Sequence, residues 1–280
     1  MELSTQPFSI HHPEEEGRII RGVVTRPRAS PGPIPGVLIL HGFKGFLRWG
    51  FFPDLQQRVA RSGRAAVAFN LSGSGVGEDL ESFTEDDAFF RATPSRALED
   101  LDLVRAFLDA EDLGIDVGRL SIFGHSLGGG AALVHAARRG DYRAVVTWAA
   151  VSTSLRFGPE AIARWREEGV IEIPNARTGK IHRIGTGWLD DIEQNADALD
   201  IPAACSRLGT PTLLVHGSDD EAVSIEEGRK LDAAFQPGVA RFVEVPGAGH
   251  TFGAVHPYQG PTAELELAFG ATLEHLRKEG

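Results

Sequence analysis

The stretch Leu120-Ser121-Ile122-Phe123-Gly124-His125-Ser126-Leu127-Gly128-Gly129-Gly130 constrains this chain more than any other. Leu120 to Phe123 is an apolar run of buried-strand type, and Leu127 to Arg139 combines small residues with helix formers. Between them, Gly124-x-Ser126-x-Gly128 has the spacing of a tight strand-to-helix turn with a serine at its apex. Such a turn holds the serine in a strained backbone conformation with its hydroxyl pushed outward. Side chains two residues before and after it would strike the neighbouring chain, so both positions favour glycine. The amides at the start of the helix face the same point, where they favour negative charge.

A strand that feeds directly into a helix is the unit of a parallel sheet, and the rest of the chain repeats it. Gly36 to Leu40 reads as a buried strand, Phe51 to Arg61 as a helix and Ala65 to Phe69 as the next strand. Pro94 to Ala110 is an amphipathic helix with Leu98, Leu101, Val104, Phe107 and Leu108 on one side. Ala144 to Trp148, Thr212 to His216 and Arg241 to Val245 read as further strands. Ile225 to Phe235 and Thr262 to Lys278 read as helices. Phe8 to His11 and Arg18 to Thr25, separated by an acidic turn, predict an antiparallel pair at a sheet edge. Asn70 to Thr93 reads as a long loop. Its glycines at Ser72–Gly77 lack the spacing of a phosphate cradle and read as a turn.

Residues 152–205 break the rhythm. A helix is expected over Gly158 to Glu168, then a hairpin of Val170–Ile173 and Lys180–Ile184 around the turn at 174–179, then a short helix near Asp190 to Leu199. This segment reads as an insertion over the carboxyl edge of the sheet, a candidate cap, with an elaborated peripheral crossover as the alternative. Trp165 and Trp188 are expected there as exposed apolar residues.

With 280 residues, 42% hydrophobic and 24% charged, the chain can bury one large core and is expected to form a single domain over 1–280. A formal net charge of −11 argues against nucleic acid or an anionic membrane as partner. No apolar run approaches the ~18 residues of a membrane span, and MELSTQPFSIHHPEEEG lacks the basic and apolar regions of a signal peptide. With Cys205 as the single cysteine, a cytoplasmic address is expected.

Serine is a weak nucleophile until an oriented base takes its proton. Two later strand ends offer the missing groups. Thr212 to Val215 leads into His216-Gly217-Ser218-Asp219-Asp220-Glu221, and Arg241 to Val245 leads into Pro246-Gly247-Ala248-Gly249-His250. In open α/β sheets, sites collect at the carboxyl ends of strands, and the order Ser…Asp…His matches a nucleophile turn of this kind. Oxyanion donors are offered by Leu127 N–H and by the loop His41-Gly42-Phe43 after an earlier strand.

Taken together, HGFKG, GHSLGG, HGSDDEAVS and PGAGH resemble an α/β hydrolase serine esterase of the dienelactone hydrolase, feruloyl esterase and prolyl-oligopeptidase-like branch. The resemblance implies an α/β-hydrolase fold: a mostly parallel sheet of about eight strands, helices on both faces and a small cap-like insertion. It implies Ser126 as nucleophile, Asp220 as acid, His250 as base, and Phe43 and Leu127 as oxyanion donors. It also implies a small-molecule ester as substrate, with no cofactor. The same triad would serve a peptidase or an acyltransferase, and a non-catalytic ligand-binding member of the fold is the alternative of a different class. No HExxH or CxxC pattern argues for a metal.

The remaining histidines read as structural. His41 and His216 begin His-Gly turns, His125 lies inside the serine's turn and His256 follows His250 by six residues; each reads as a structural turn or a pocket wall, and His11, His12 and His135 as surface or packing residues. Phe43, Phe46, Trp49, Phe51 and Phe52 follow the oxyanion strand, and part of this cluster is expected to line an apolar pocket. Lys44 is expected either at a substrate anion or in solvent.

Overall fold

Alternation of apolar residues along the strands is what makes a two-sided core here. In the computed structural model, which describes residues 1–30, 32–175 and 179–280, Leu38, Leu40, Val67, Ile122 and Leu214 pack on one face of the sheet. Their neighbours Val37, Ile39, Ala66, Phe123 and Leu213 pack on the other.

The elements run β1 (Leu3–His11), β2 (Ile19–Pro27), β3 (Ile34–Leu40), α1 (Phe52–Arg61), β4 (Ala65–Asn70), α2 (Asp86–Phe90), α3 (Pro94–Ala110), β5 (Ile115–His125) and α4 (Leu127–Arg139). They continue with β6 (Val145–Trp148), α5 (Pro159–Glu168), β7 (Val170–Pro174), β8 (Ile181–Gly185), α6 (Gly187–Gln194), α7 (Ile201–Arg207), β9 (Thr212–Gly217), α8 (Ile225–Ala234), β10 (Ala240–Val245) and α9 (Ala263–Glu279).

Eight strands form one sheet in the order β1-β2-β4-β3-β5-β6-β9-β10. The pairs from β4 to β10 are all parallel, and β1 and β2 add an antiparallel edge. This is the α/β-hydrolase fold, with α3 and α4 covering one face and α1 and α9 the other. The winding direction reverses between β3 and β5, the place where a crevice opens at the carboxyl edge of such a sheet. Register fixes what meets there. Leu40 lies opposite Gly124, so the loops after β3 and β5 leave the sheet side by side. Val245 lies opposite Gly217, which does the same for the loops after β9 and β10.

Three expectations about element boundaries need correction. The long loop at 70–93 contains the short helix α2 and a bridge between Val76 and Phe83. β5 begins at Ile115, five residues before the apolar run, because Ile115 and Asp116 pair with Ile34 and Pro35 before a bulge brings Leu120 opposite Gly36. The helix expected near 190–199 is shifted to Gly187–Gln194. A second helix follows it, capped by Asp200, whose carboxylate accepts the Ala203 amide at 2.9 Å.

Residues between β6 and α7 form α5, the antiparallel β7–β8 pair and α6, apart from the main sheet. The turn residues 176–178 lie outside the described residues. Trp165 and Trp188, expected in solvent, are buried at 1% and 6% exposure in a cluster with Phe89, Ile184 and Leu189. Phe43 and Leu127 pack against the same cluster, so the insertion is seated on the carboxyl edge of the sheet. Lys44 Nζ donates to the Pro174 carbonyl at 3.1 Å and so ties the loop after β3 to this hairpin. Among the described residues no helix is long and apolar enough to cross a membrane.

Candidate active site

Ser126 sits between β5 and α4 at φ 56°, ψ −121°, a region costly for any residue with a Cβ. The strain is held from several directions. Ser126 N–H donates to Trp148 O at 2.9 Å, and its carbonyl accepts from Gly129 and Gly130 in the first turn of α4. The flanking glycines are required by contact. A Cβ at Gly124 would lie 2.2 Å from Gly128 O, and one at Gly128 would lie 2.3 Å from His41 O. A Cβ at Gly42 would sit 2.8 Å from Ser126 Cβ, so the loop after β3 packs directly on the turn.

That loop closes on itself. Gly45 N–H donates to Gly42 O at 3.0 Å, with Lys44 in the left-handed region at φ 55°. Among the described residues, neither the Phe43 nor the Leu127 amide N–H has a hydrogen-bond partner in the protein. Two free amides beside a strained serine are what an oxyanion hole requires.

The β9 and β10 loops bring the other two side chains together. His250 Nδ1–H donates to Asp220 Oδ2 at 2.8 Å. Asp220 is 6% exposed, and its other oxygen accepts from the amides of Ala222 at 2.9 Å and Val223 at 2.8 Å. Burial works against the charged carboxylate. The nearby His216 and His250 rings and the Val223 amide outweigh it and hold this carboxyl below the usual range. Of the two rings, His250 is the closer, because His216 Nε2 lies 3.5 Å away and donates to Val223 O at 2.8 Å. Asp219 is exposed and accepts from the Ser218 hydroxyl at 2.7 Å, so only one of the adjacent acids reaches His250.

Two histidines that read as structural turn out to support this pair. His216 is buried beneath Asp220. His125 is buried beside His250, ring centroids 4.7 Å apart, and its Nε2–H donates to the His250 carbonyl at 2.9 Å. Burial pushes the His125 ring down to about 3, so it is neutral. This bond joins the serine's own turn to the backbone of His250, and no spacing in the sequence announces it. Ser126 is 8% exposed, and its Oγ has no hydrogen-bond partner among the described residues. Among them, no group of three His, Cys, Asp or Glu residues is arranged to hold a metal.

The aromatic cluster after β3 divides. Phe51 and Phe52 are wholly in the core, and Phe46 packs edge-on against Phe83 and His256. Phe43 alone of these lines a cavity of about 80 Å³ between the loop after β3, the start of α4, α3 and the insertion. Leu127 and Trp188 also line it, while Ser126 and His250 do not.

Comparison with known proteins agrees with the fold. Est1E from Butyrivibrio proteoclasticus bound to ferulic acid superposes at a TM-score of 0.72, with 20% identity over 94% of this chain and 96% of that one. Dienelactone hydrolase from Anabaena variabilis ATCC 29413 superposes at 0.63, with 19% identity over 100% of this chain and 99% of that one. "Uncharacterized peptidase YuxL" of Bacillus subtilis (strain 168) is 25% identical over 262 residues, 90% of this chain. The chain spans only 37% of the length of that relative. Residues 37–264, from β3 to the start of α9, match the sequence profile of the Alpha/beta hydrolase family, and the chain belongs to that family.

Proposed function

We propose that this protein is a serine hydrolase that cleaves carboxylic esters through an acyl-enzyme. The observation that carries the reading is the junction of three strand ends. Ser126 is strained outward after β5, Asp220 follows β9 with its carboxylate on His250 Nδ1, and His250 is tied by its carbonyl to the residue before the serine. Because Asp220 holds the proton on Nδ1, the Nε2 lone pair of His250 is free to act as base.

In this reading His250 Nε2 takes the Ser126 hydroxyl proton as Oγ attacks the ester carbonyl. The carbonyl π electrons move to oxygen, and the resulting oxyanion accepts the Phe43 and Leu127 amides. Collapse re-forms the carbonyl and breaks the bond to the alcohol oxygen, which takes the proton from His250. Water then repeats the sequence on the acyl-enzyme and releases the acid and Ser126. The Ser126–His250 hydrogen bond is expected to close in the substrate complex, as catalytic bonds often do. The insertion acts as a cap that shapes the substrate site. A cytoplasmic address suits the lone, buried Cys205.

The name of the Bacillus relative favours a second reading, a peptidase using the same three residues. One panel tests both: 4-nitrophenyl esters against aminoacyl 4-nitroanilides, with wild type and Ser126→Ala. Ester cleavage lost in Ser126→Ala supports the esterase reading. Faster anilide cleavage supports the peptidase, and Ser126-independent turnover rejects both.

A further inference from the structure

Arg156 lies in the segment that leaves β6 for the insertion, and its side chain reaches back to the loop that carries Asp220. Its Nη1 donates to both carboxylate oxygens of Glu227, at 2.6 and 2.8 Å, and its Nη2 donates to the Ala222 carbonyl at 2.8 Å. Glu227 sits in the first turn of α8 and also accepts the Ser152 amide at 2.8 Å, so the segment is held on that helix at two points. The Arg156 and Glu227 side chains are 31% and 21% exposed. A partly exposed ion pair adds little to stability. Its reach to one particular carbonyl is the feature that bears on the site.

Ala222 C=O and Val223 N–H belong to one peptide unit. That unit is planar and trans, so fixing the carbonyl fixes where the N–H points. It points at Asp220 Oδ1, 2.8 Å away. The far side of Val223 is fixed as well, since its carbonyl accepts His216 Nε2–H at 2.8 Å. A guanidinium on the Ala222 carbonyl also draws electron density through the peptide and makes its N–H a stronger donor, as chained hydrogen bonds do at low dielectric. The Asp220 side chain is shut off from solvent, and its Oδ2 meets His250 Nδ1. The path from Arg156 through the Ala222–Val223 peptide and Asp220 to His250 is therefore continuous, and each hydrogen bond in it is 2.8 Å long.

We propose that Arg156 is a positioning residue for the acid of the site: it aims and strengthens the Val223 amide on Asp220 Oδ1 and so keeps Oδ2 on His250. The assignment rests on the serine esterase reading above. It gives the segment 152–205 a part in the chemical step beside its part as a cap. Ala222 N–H still holds Oδ1 when Arg156 is removed, so the expected loss is that of about one hydrogen bond, about fivefold in kcat.

The test measures kcat and KM on 4-nitrophenyl butanoate for Arg156→Met and Arg156→Gln, each also in an Asp220→Ala background. The glutamine nitrogen stops where Arg Nε lies, short of Ala222, so the two variants should agree, and either one suffices if thermal melting shows the other unfolded. The expected result is a kcat about fivefold lower with KM unchanged, and no further loss once Asp220 is Ala, because the path then ends before His250. An unchanged kcat, a loss that falls on KM, or a loss of the same size in the Asp220→Ala background overturns the assignment. Amide NMR reads the same link without turnover. The Val223 N–H resonance should move upfield in the Arg156 variants as its bond to Asp220 weakens, and an unmoved resonance overturns the assignment. If ester cleavage proves independent of Ser126, the esterase reading fails and the Val223 resonance decides the role of Arg156 alone.

Discussion

Replacing Asp220 by Asn tests the electrostatics of the site with the least change in shape. The carboxylate lies 2.8 Å from His250 Nδ1, and its side chain is shielded from solvent. When His250 takes the serine proton, a positive charge forms next to this fixed negative one. Charges about 4 Å apart at an effective dielectric constant of about 20 interact by about 4 kcal/mol, which removed from the barrier side costs about 10³-fold in rate. An amide adds a second penalty. Its oxygen can keep the Ala222 and Val223 amides only by turning its NH₂ toward Nδ1, which favours the tautomer with the proton on Nε2, facing the serine. Asp220→Asn is therefore expected to lower kcat on 4-nitrophenyl butanoate by about 10³-fold with little change in KM, and Asp219→Asn by less than about tenfold. Acid titration supplies a second readout. The folded carboxyl is held below its unfolded value, so its stabilisation is present above about pH 4 and lost as pH falls through the depressed value. The stability gap between wild type and Asp220→Asn should thus close at low pH. A rate loss below tenfold in Asp220→Asn, or a larger loss in Asp219→Asn, would refute the reasoning.

Other residues give sharper local expectations. Gly128→Ala places a Cβ within 2.3 Å of His41 O, so the loop after β3 must move; kcat should fall by about 10²-fold or more, read by steady-state kinetics, with thermal melting confirming a folded protein. His125→Phe keeps the ring but leaves the His250 carbonyl without its 2.9 Å donor, and kcat should fall about tenfold while KM holds. Trp165→Ala empties a side chain that is 1% exposed and bonded to Ile184 O at 3.0 Å. It should destabilise by about 3–5 kcal/mol in denaturant melts and reorder acyl-chain preference, and an unchanged ranking would remove the cap role.

Local chemistry decided what could be read from the sequence. Gly124, Ser126 and Gly128 were legible because a strained turn permits so few residue types, and the central strands β3, β4, β6 and β9 were legible as apolar runs between turn signals. Adjacency across the sheet was not written locally. That His125 would hold the carbonyl of His250, 125 positions away, depends on β6 and β9 lying between their strands. The burial of Trp165 and Trp188 depends on Phe43 and Phe89, which come from distant segments and cover them. The early start of β5 has the same origin: pairing with Ile34 and Pro35 imposes strand geometry on residues with little apolar pattern of their own. By contrast, α7 carried a readable signal in Asp200-Ile201-Pro202, a cap followed by a proline in the first turn.

Ser126 is the proposed nucleophile, and covalent labelling reads its reactivity directly. A fluorophosphonate incubated with wild type and with Asp220→Asn, followed by peptide mass spectrometry, reads both the site of attack and its activation. One equivalent of label is expected on the peptide bearing Ser126, formed far more slowly in Asp220→Asn and absent in Ser126→Ala. Label on a different serine, or equal labelling rates in wild type and Asp220→Asn, would contradict it.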